Sequence, residues 1–265
     1  RAVESIGPVT KIVASIEARM TSSRLPGKVL MPAGGEPLLG ILIRRLQAVP
    51  ELSDVVVATT TNNTDDPVAS LAEEYGASVF RGDENDVLGR VSGALTSVEA
   101  NVAVEITGDC PLVDPALVSD CVTRFVSSNG KHRYVANTTG PRLGAPHGLD
   151  VQVFAADDLH AIASEVYSPE AREHVSTPFY DPANAARFNP LFVEHFPADL
   201  CRRVWISLDY KEDYDLIRAA YETLSMQTPL FGAKSLIDFC LKEQKMTQAC
   251  LALRGWADGA QKAQA

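Results

Sequence analysis

The chain has 265 residues, 46% hydrophobic and 22% charged, which supplies enough apolar material for one full core and excludes a chain that is disordered throughout. A formal charge of −10 excludes a broad nucleic-acid surface, which needs clustered Lys and Arg. The five cysteines form no CxxC pair and predict reduced thiols in the cytoplasm, and no apolar run approaches the roughly 18 residues of a membrane span.

Residues 1–9 carry no pattern and are expected to be a loose leader. The apolar run Ile12–Ile16 predicts a buried parallel strand feeding a loop. Leu39, Leu42, Ile43, Leu46 and Val49 recur at helical spacing. Val55–Thr59 is a second strand. Asp66 as N-cap and Pro67 at N1 then open a helix to Tyr75, ended by Gly76. Ser78–Phe80 is a third strand, and Val87, Val91, Leu95 and Val98 mark the next helix. Val102–Ile106 is a fourth strand, and Asp114-Pro115 starts a helix to about Ser127. This alternation implies a mostly parallel, doubly wound α/β sheet.

From 129 to 196 the pattern loosens into an insertion expected to cover one end of the sheet. It holds strands at Tyr134–Asn137 and Val151–Phe154 and helices near 156–164 and 169–177. Val204–Leu208 predicts a returning strand, and Tyr214, Ile217, Tyr221 and Leu224 a helix. A last helix is expected at 233–244 and disorder from Asp258. No linker divides the chain. We expect one domain over 10–232, with the insertion at about 129–196, followed by a C-terminal helix and flexible tail over 233–265.

In open α/β sheets ligands bind at the carboxyl ends of the strands. The segment after the first strand, Ala18 to Lys28, offers Arg19, Arg24 and Lys28, three hydroxyls and a Pro-Gly turn. Such a loop can cradle phosphate oxygens with N–H and O–H groups while its cations neutralise them. It is not a Walker A loop, because Ser22 stands where the first Gly belongs and Val29 follows the Lys. Asp109 follows the fourth strand and Asp209 the late one. Two carboxylates beside a phosphate loop suit Mg²⁺, although Asp109 also reads as a turn residue and Asp209-x-x-Glu212 as a capping box. Asp213-Tyr214-Asp215 spells a metal-binding DxD but falls within a helix, where i and i+2 diverge. Cys110 is expected to adjoin the metal site in sequence only, as a packing residue. His132, His160 and His195 are expected to be ordinary surface or core residues.

The run ARMTSSRLPGKVL at Ala18–Leu30 resembles the hallmark of the cytidylyltransferases that activate sugar acids. The branch it resembles is that of spore coat polysaccharide biosynthesis protein F, with the Kdo cytidylyltransferases more distant. Val79–Leu88 resembles the branch's FRG-x-x-x-DVL and Ile106–Leu112 its ITGDCPL. Gly148–Phe154 resembles GLDVEVF with Gln152 replacing Glu, and Arg172–Ser176 resembles REHVT with Ser176 replacing Thr. These segments run in order over about residues 11–224.

The resemblance implies a Rossmann-like nucleotide-diphospho-sugar-transferase fold, a mostly parallel sheet with an α+β insertion. It implies that CTP and a sugar acid of the 3-deoxy-ulosonate type give a CMP-sugar and pyrophosphate, for surface polysaccharide biosynthesis. Arg19, Arg24 and Lys28 would then hold the triphosphate, with Ala18, Met20, Thr21 and Ser22 also binding the nucleotide. Arg81, Gly82 and Asp83 would lie against base and ribose, near Thr107 and Gly108. Arg19, Lys28, Asp109 and Asp209 would be catalytic, the two Asp residues as Mg²⁺ ligands. The family's DTPED-like run is here Asp209-Tyr210-Lys211-Glu212-Asp213. His147, Asp150, Glu173 and His174 would face the sugar, and Arg142 or Arg172 could pair with its carboxylate. A homodimer pairing residues 130–190 is expected, without nucleic-acid or membrane partners. The competing readings are another base specificity, a glycosyltransferase that uses a nucleotide sugar, and a non-catalytic nucleotide sensor.

Overall fold

A computed structural model describes residues 10–139 and 142–256. The expected leader and the tail from Asp258 lie outside the described residues. In chain order the strands are β1 (Ile12–Glu17), β2 (Pro32–Ala33), β3 (Glu36–Pro37), β4 (Asp54–Thr60), β5 (Ser78–Gly82), β6 (Val102–Thr107), β7 (Tyr134–Ala136), β8 (Thr138–Thr139), β9 (Arg142–Leu143), β10 (Gln152–Ala155) and β11 (Leu191–Phe192). The helices are α1 (Leu38–Gln47), α2 (Asp66–Glu74), α3 (Val87–Ser97), α4 (Pro115–Ser127), α5 (Ala156–Glu165), α6 (Pro169–Arg172), α7 (Thr177–Tyr180), α8 (Ala185–Phe188), α9 (Ala198–Cys201), α10 (Lys211–Leu224), α11 (Ala233–Lys242) and α12 (Gln244–Ala252). Among the described residues, no helix is long and apolar enough to cross a membrane.

The main sheet has seven strands in the order β11-β7-β10-β6-β1-β4-β5. β1 pairs in parallel with β4 and β6, β4 with β5, and β7 with β11. Only β10 is antiparallel to its neighbours β6 and β7, so the sheet is mainly parallel as expected. The segment read as covering one end of the sheet also extends it, because β7, β10 and β11 form its edge.

Alternation along the buried strands feeds two cores. Ala14, Ile16, Val57 and Val104 pack toward α1, α2, α4, α10, α11 and α12. Val13, Val56, Ala58 and Ala103 pack toward α3, α5, α7 and α8. Burying both faces is why these strands read as continuous apolar runs.

Four local expectations are corrected. Val204–Leu208 is extended but belongs to no sheet. Val204, Ile206 and Leu208 are buried, while the backbone is pinned by single bonds from Ile206 N–H to His147 O (2.8 Å) and from Leu208 N–H to Asp109 O (2.8 Å). The helix expected at 169–177 is two short ones, α6 and α7, broken at Glu173–Ser176. α2 is preceded by Asp65 at its N-cap, not Asp66. The Asp65 carboxylate accepts from Met20 N–H (2.7 Å) and the Thr60 hydroxyl. Finally, α11 is followed by α12, a helix the sequence reading missed.

Candidate active site

The loop after β1 folds back on itself. Ser22 N–H and Gly27 N–H both donate to Met20 O, at 3.0 and 2.9 Å. Gly27 supplies the left-handed residue (φ 71°) that turns the chain into the short helical turn Lys28–Leu30. The loop thereby overhangs a cleft of about 360 Å³ lined by Arg19, Ser22, Arg24, Lys28, Thr107, Gly108, Asp109, Glu173 and His174, with Glu17 and Arg90. Gly108 is required where the ends of β1 and β6 lie side by side, because a Cβ there would lie 2.5 Å from Glu17 O.

The extended segment 204–208 delivers Asp209 to this edge. Lys28 Nζ donates to Leu208 O (2.6 Å) and Asp209 Oδ1 (3.1 Å), and Arg24 Nη2 donates to the same Oδ1 at 2.8 Å. Asp209 does not cap α10. Asp213 does so, its Oδ2 accepting from Asp209 N–H (2.9 Å) and Tyr210 N–H (2.8 Å). The capping-box explanation of Asp209 is therefore overturned, and Asp213, the first residue of the DxD spelling, is a structural residue. Asp109 accepts from the Thr107 hydroxyl at Oδ1 and from the Ser207 hydroxyl at Oδ2 (2.8 Å).

A second cavity of about 310 Å³ adjoins the cleft and shares Thr107 and Asp109 with it. Its walls are Asp209, His147, Asp150, Thr138, Thr139, Gln152, Ser176, Tyr180, Trp205 and Ser207. Cys110 meets this junction in space as well as in sequence, with Sγ 3.8 Å from Asp109 Oδ1 and 3.7 Å from Asp150 Oδ2. Burial and the two carboxylates push its thiol well above the usual range, so it stays protonated and donates.

Below the cleft, β1 and β6 place Glu17 and Glu105 on one sheet face, with Ser15 opposite Glu105 and Glu17 opposite Thr107. Burial, then the Glu105 charge, raises the Glu17 carboxyl well above the ordinary range, against the pull of Arg90. Burial raises Glu105 to about 8, opposed by a hydrogen bond with Ser176. Glu17 Oε1 and Glu105 Oε2 have no hydrogen-bond partner. Arg90 is itself buried and donates to the carbonyls of Asp83 (2.6 Å) and Glu84 (3.2 Å).

The other expected residues divide. Arg19 Nη1 donates to Glu84 O at 3.3 Å, and the Thr21 hydroxyl donates to Glu84 Oε1. Met20 and Thr21 are not among the residues that line the cleft. Arg81 turns away: its guanidinium donates to the carbonyls of Thr60 (2.7 Å) and Asn62 (2.8 Å) and pairs with Asp66. Gly82 packs on Arg90, and the Asp83 carboxylate accepts from Asn85 N–H in a local turn. The four proposed sugar residues fall on two sides, Glu173 and His174 in the cleft, His147 and Asp150 in the second cavity. Arg172 is committed to Asp86 through two bonds of 2.8 Å, and Arg142 stacks 4.1 Å from the Phe192 ring centroid. Sequence reasoning missed Glu17, Glu105, Arg90, Ser207, Trp205 and Arg254. Only the two glutamates signalled themselves, as charges inside apolar strands.

The cytidylyltransferase family profile matches residues 13–221. The spore coat polysaccharide biosynthesis protein SpsF of Bacillus subtilis is 32% identical over 231 residues, 85% of this chain and 92% of that protein. A 3-deoxy-manno-octulosonate cytidylyltransferase of Chlorobium limicola is 37% identical over 119 residues, 44% of this chain and 47% of that protein. A solved cytidylyltransferase from Leptospira borgpetersenii superposes with a TM-score of 0.80 at 28% identity, covering 91% of this chain and 98% of that one.

Proposed function

The chain belongs to the cytidylyltransferase family, and from that premise we propose that it transfers CMP from CTP to a sugar acid of the 3-deoxy-ulosonate type, releasing pyrophosphate, for surface polysaccharide biosynthesis. The observation that carries this reading is the pair of cavities meeting at Thr107 and Asp109, one overhung by three cations and the other walled by hydroxyl, amide, imidazole and carboxylate groups. The first suits a triphosphate and the second a polyhydroxylated acid. The C. limicola relative, named for 3-deoxy-manno-octulosonate, supports the sugar class.

In this reading the sugar-acid hydroxyl attacks the α-phosphorus in line and pyrophosphate leaves. Arg19, Arg24 and Lys28 neutralise the charge that builds on the leaving group. Arg24 and Lys28 rest on Asp209 in the structure. An incoming triphosphate competes for these cations and frees Asp209 Oδ1. Asp109 and Asp209, two hard oxygen donors on the wall of the second cavity, suit Mg²⁺. That matches an ion held by one or two carboxylates and by substrate phosphate. When bound, Mg²⁺ withdraws charge from the α-phosphate and the attacking oxygen. A cytoplasmic homodimer built on residues 130–190 completes the reading. Five free, buried thiols suit the compartment, and sedimentation tests the dimer.

The deciding experiment is pyrophosphate release over a matrix of nucleoside triphosphates and sugar acids. Release with CTP and a 3-deoxy-ulosonate is expected. Release only with another triphosphate, or with neutral sugars, would overturn the assignment.

A further inference from the structure

Past the matched span, which ends at residue 221, the chain returns to the site. Arg254, just beyond α12, sends Nη1 to Asp213 Oδ1 (2.7 Å) and Nη2 to Asp213 Oδ2 (2.6 Å). Its Nη2 also lies 3.7 Å from Asp209 Oδ2. The guanidinium sits 4.4 Å from the Trp205 ring centroid and 5.1 Å from that of Tyr210, and Nη1 donates to Cys250 O at 2.9 Å. The Arg254 side chain is 11% exposed and that of Asp213 is fully buried.

We infer that Arg254 is a positioning residue for Asp209, so that the C-terminal helix pair is part of the active site. This rests on the cytidylyltransferase reading. Asp209 belongs to no strand, so no ladder fixes it. Its main chain is held by Asp213 Oδ2, and Asp213 is held by the two-pronged contact with Arg254. Such a fork fixes a carboxylate in plane as well as in place. The second carboxylate oxygen of Asp209 faces the same guanidinium, while the first faces Lys28 and Arg24. Arg254 thus sets the direction in which Asp209 turns Oδ1 toward Lys28 and Arg24.

The test compares wild type with Arg254→Ala and Arg254→Lys. Arg254→Ala should lower kcat roughly tenfold or more, as a misplaced catalytic group does. The KM for CTP should change little, because the triphosphate cleft is built on other elements. Hydrogen exchange at the Asp209 and Tyr210 amides should quicken while β1 and β6 keep their protection. Added guanidinium should restore part of kcat, the opposite of its effect on a merely unstable protein. Arg254→Lys should keep the fold and recover less than guanidinium does, since an ammonium cannot fork. If wild type is active and Arg254→Ala keeps its kcat, the inference is overturned. It is equally overturned if activity falls only in step with the melting temperature and with exchange across the whole chain. If wild type releases no pyrophosphate with any pair of substrates, the cytidylyltransferase reading fails. The exchange at residues 209 and 210 then decides the positioning role alone.

Discussion

Replacing Glu105 by Gln should abolish a pH dependence of stability built into the sheet. Glu105 is 4% exposed, its Oε2 has no partner, and its carboxyl is raised from the ordinary 4.5 to about 8. Between those limits the folded protein keeps a proton that the unfolded chain has released. The folded state binds more protons, so stability falls as pH rises through this window and levels off above about 8. Each unit costs about 1.4 kcal/mol, so moving from pH 5 to pH 7 costs on the order of 3 kcal/mol. Gln mimics the neutral acid without the titration. The variant should match wild type near pH 5 and exceed it progressively toward pH 8. Urea unfolding of both proteins at unit pH steps measures the difference. A constant difference across the range would refute the placement of a buried, protonated Glu105.

Asp209→Asn should leave α10 capped by Asp213 and cost no more than about 2 kcal/mol of stability. Activity should fall at least about tenfold with a raised Mg²⁺ midpoint, and a melt with a Mg²⁺ titration of pyrophosphate release checks both. Gly148→Ala should destabilise by about 2–5 kcal/mol, because Gly148 has φ 100° and a Cβ would lie 2.4 Å from the Ile206 carbonyl carbon. A urea midpoint equal to that of wild type would contradict this. All five thiols are buried, with Cys201 pushed up to about 11 and Cys121 and Cys240 to about 12, so a disulfide reagent at pH 8 should label none within minutes. Five equivalents should react once urea is added, and rapid labelling of the native protein would show a thiol the fold does not cover.

The parallel strands and the cationic loop were legible because burial on two faces leaves unbroken apolar runs, and a strand end followed by Arg, Ser, Pro-Gly and Lys has few other uses. Val204–Leu208 was misread for the same reason. An apolar run reports burial and not where the backbone bonds go, and here they go singly to His147 and Asp109. Asp209 looked like a cap because spacing cannot distinguish Asp209 from Tyr210 as the residue that starts α10. Arg81 fitted a motif, yet its guanidinium serves the carbonyls of a neighbouring strand end and loop. Arg254 gave no signal, since its partner lies 41 residues away and no helix was expected to carry it there.

The contacts on Asp209 also bear on how the molecule is made. Arg24 and Lys28 precede the carboxylate that receives them by 185 and 181 residues. Translation therefore exposes the basic loop long before its acidic counterpart exists. Only once Asp209 has reached that edge can the contacts of Arg24 and Lys28 with its carboxylate close, so this part of the cleft is completed late in the chain.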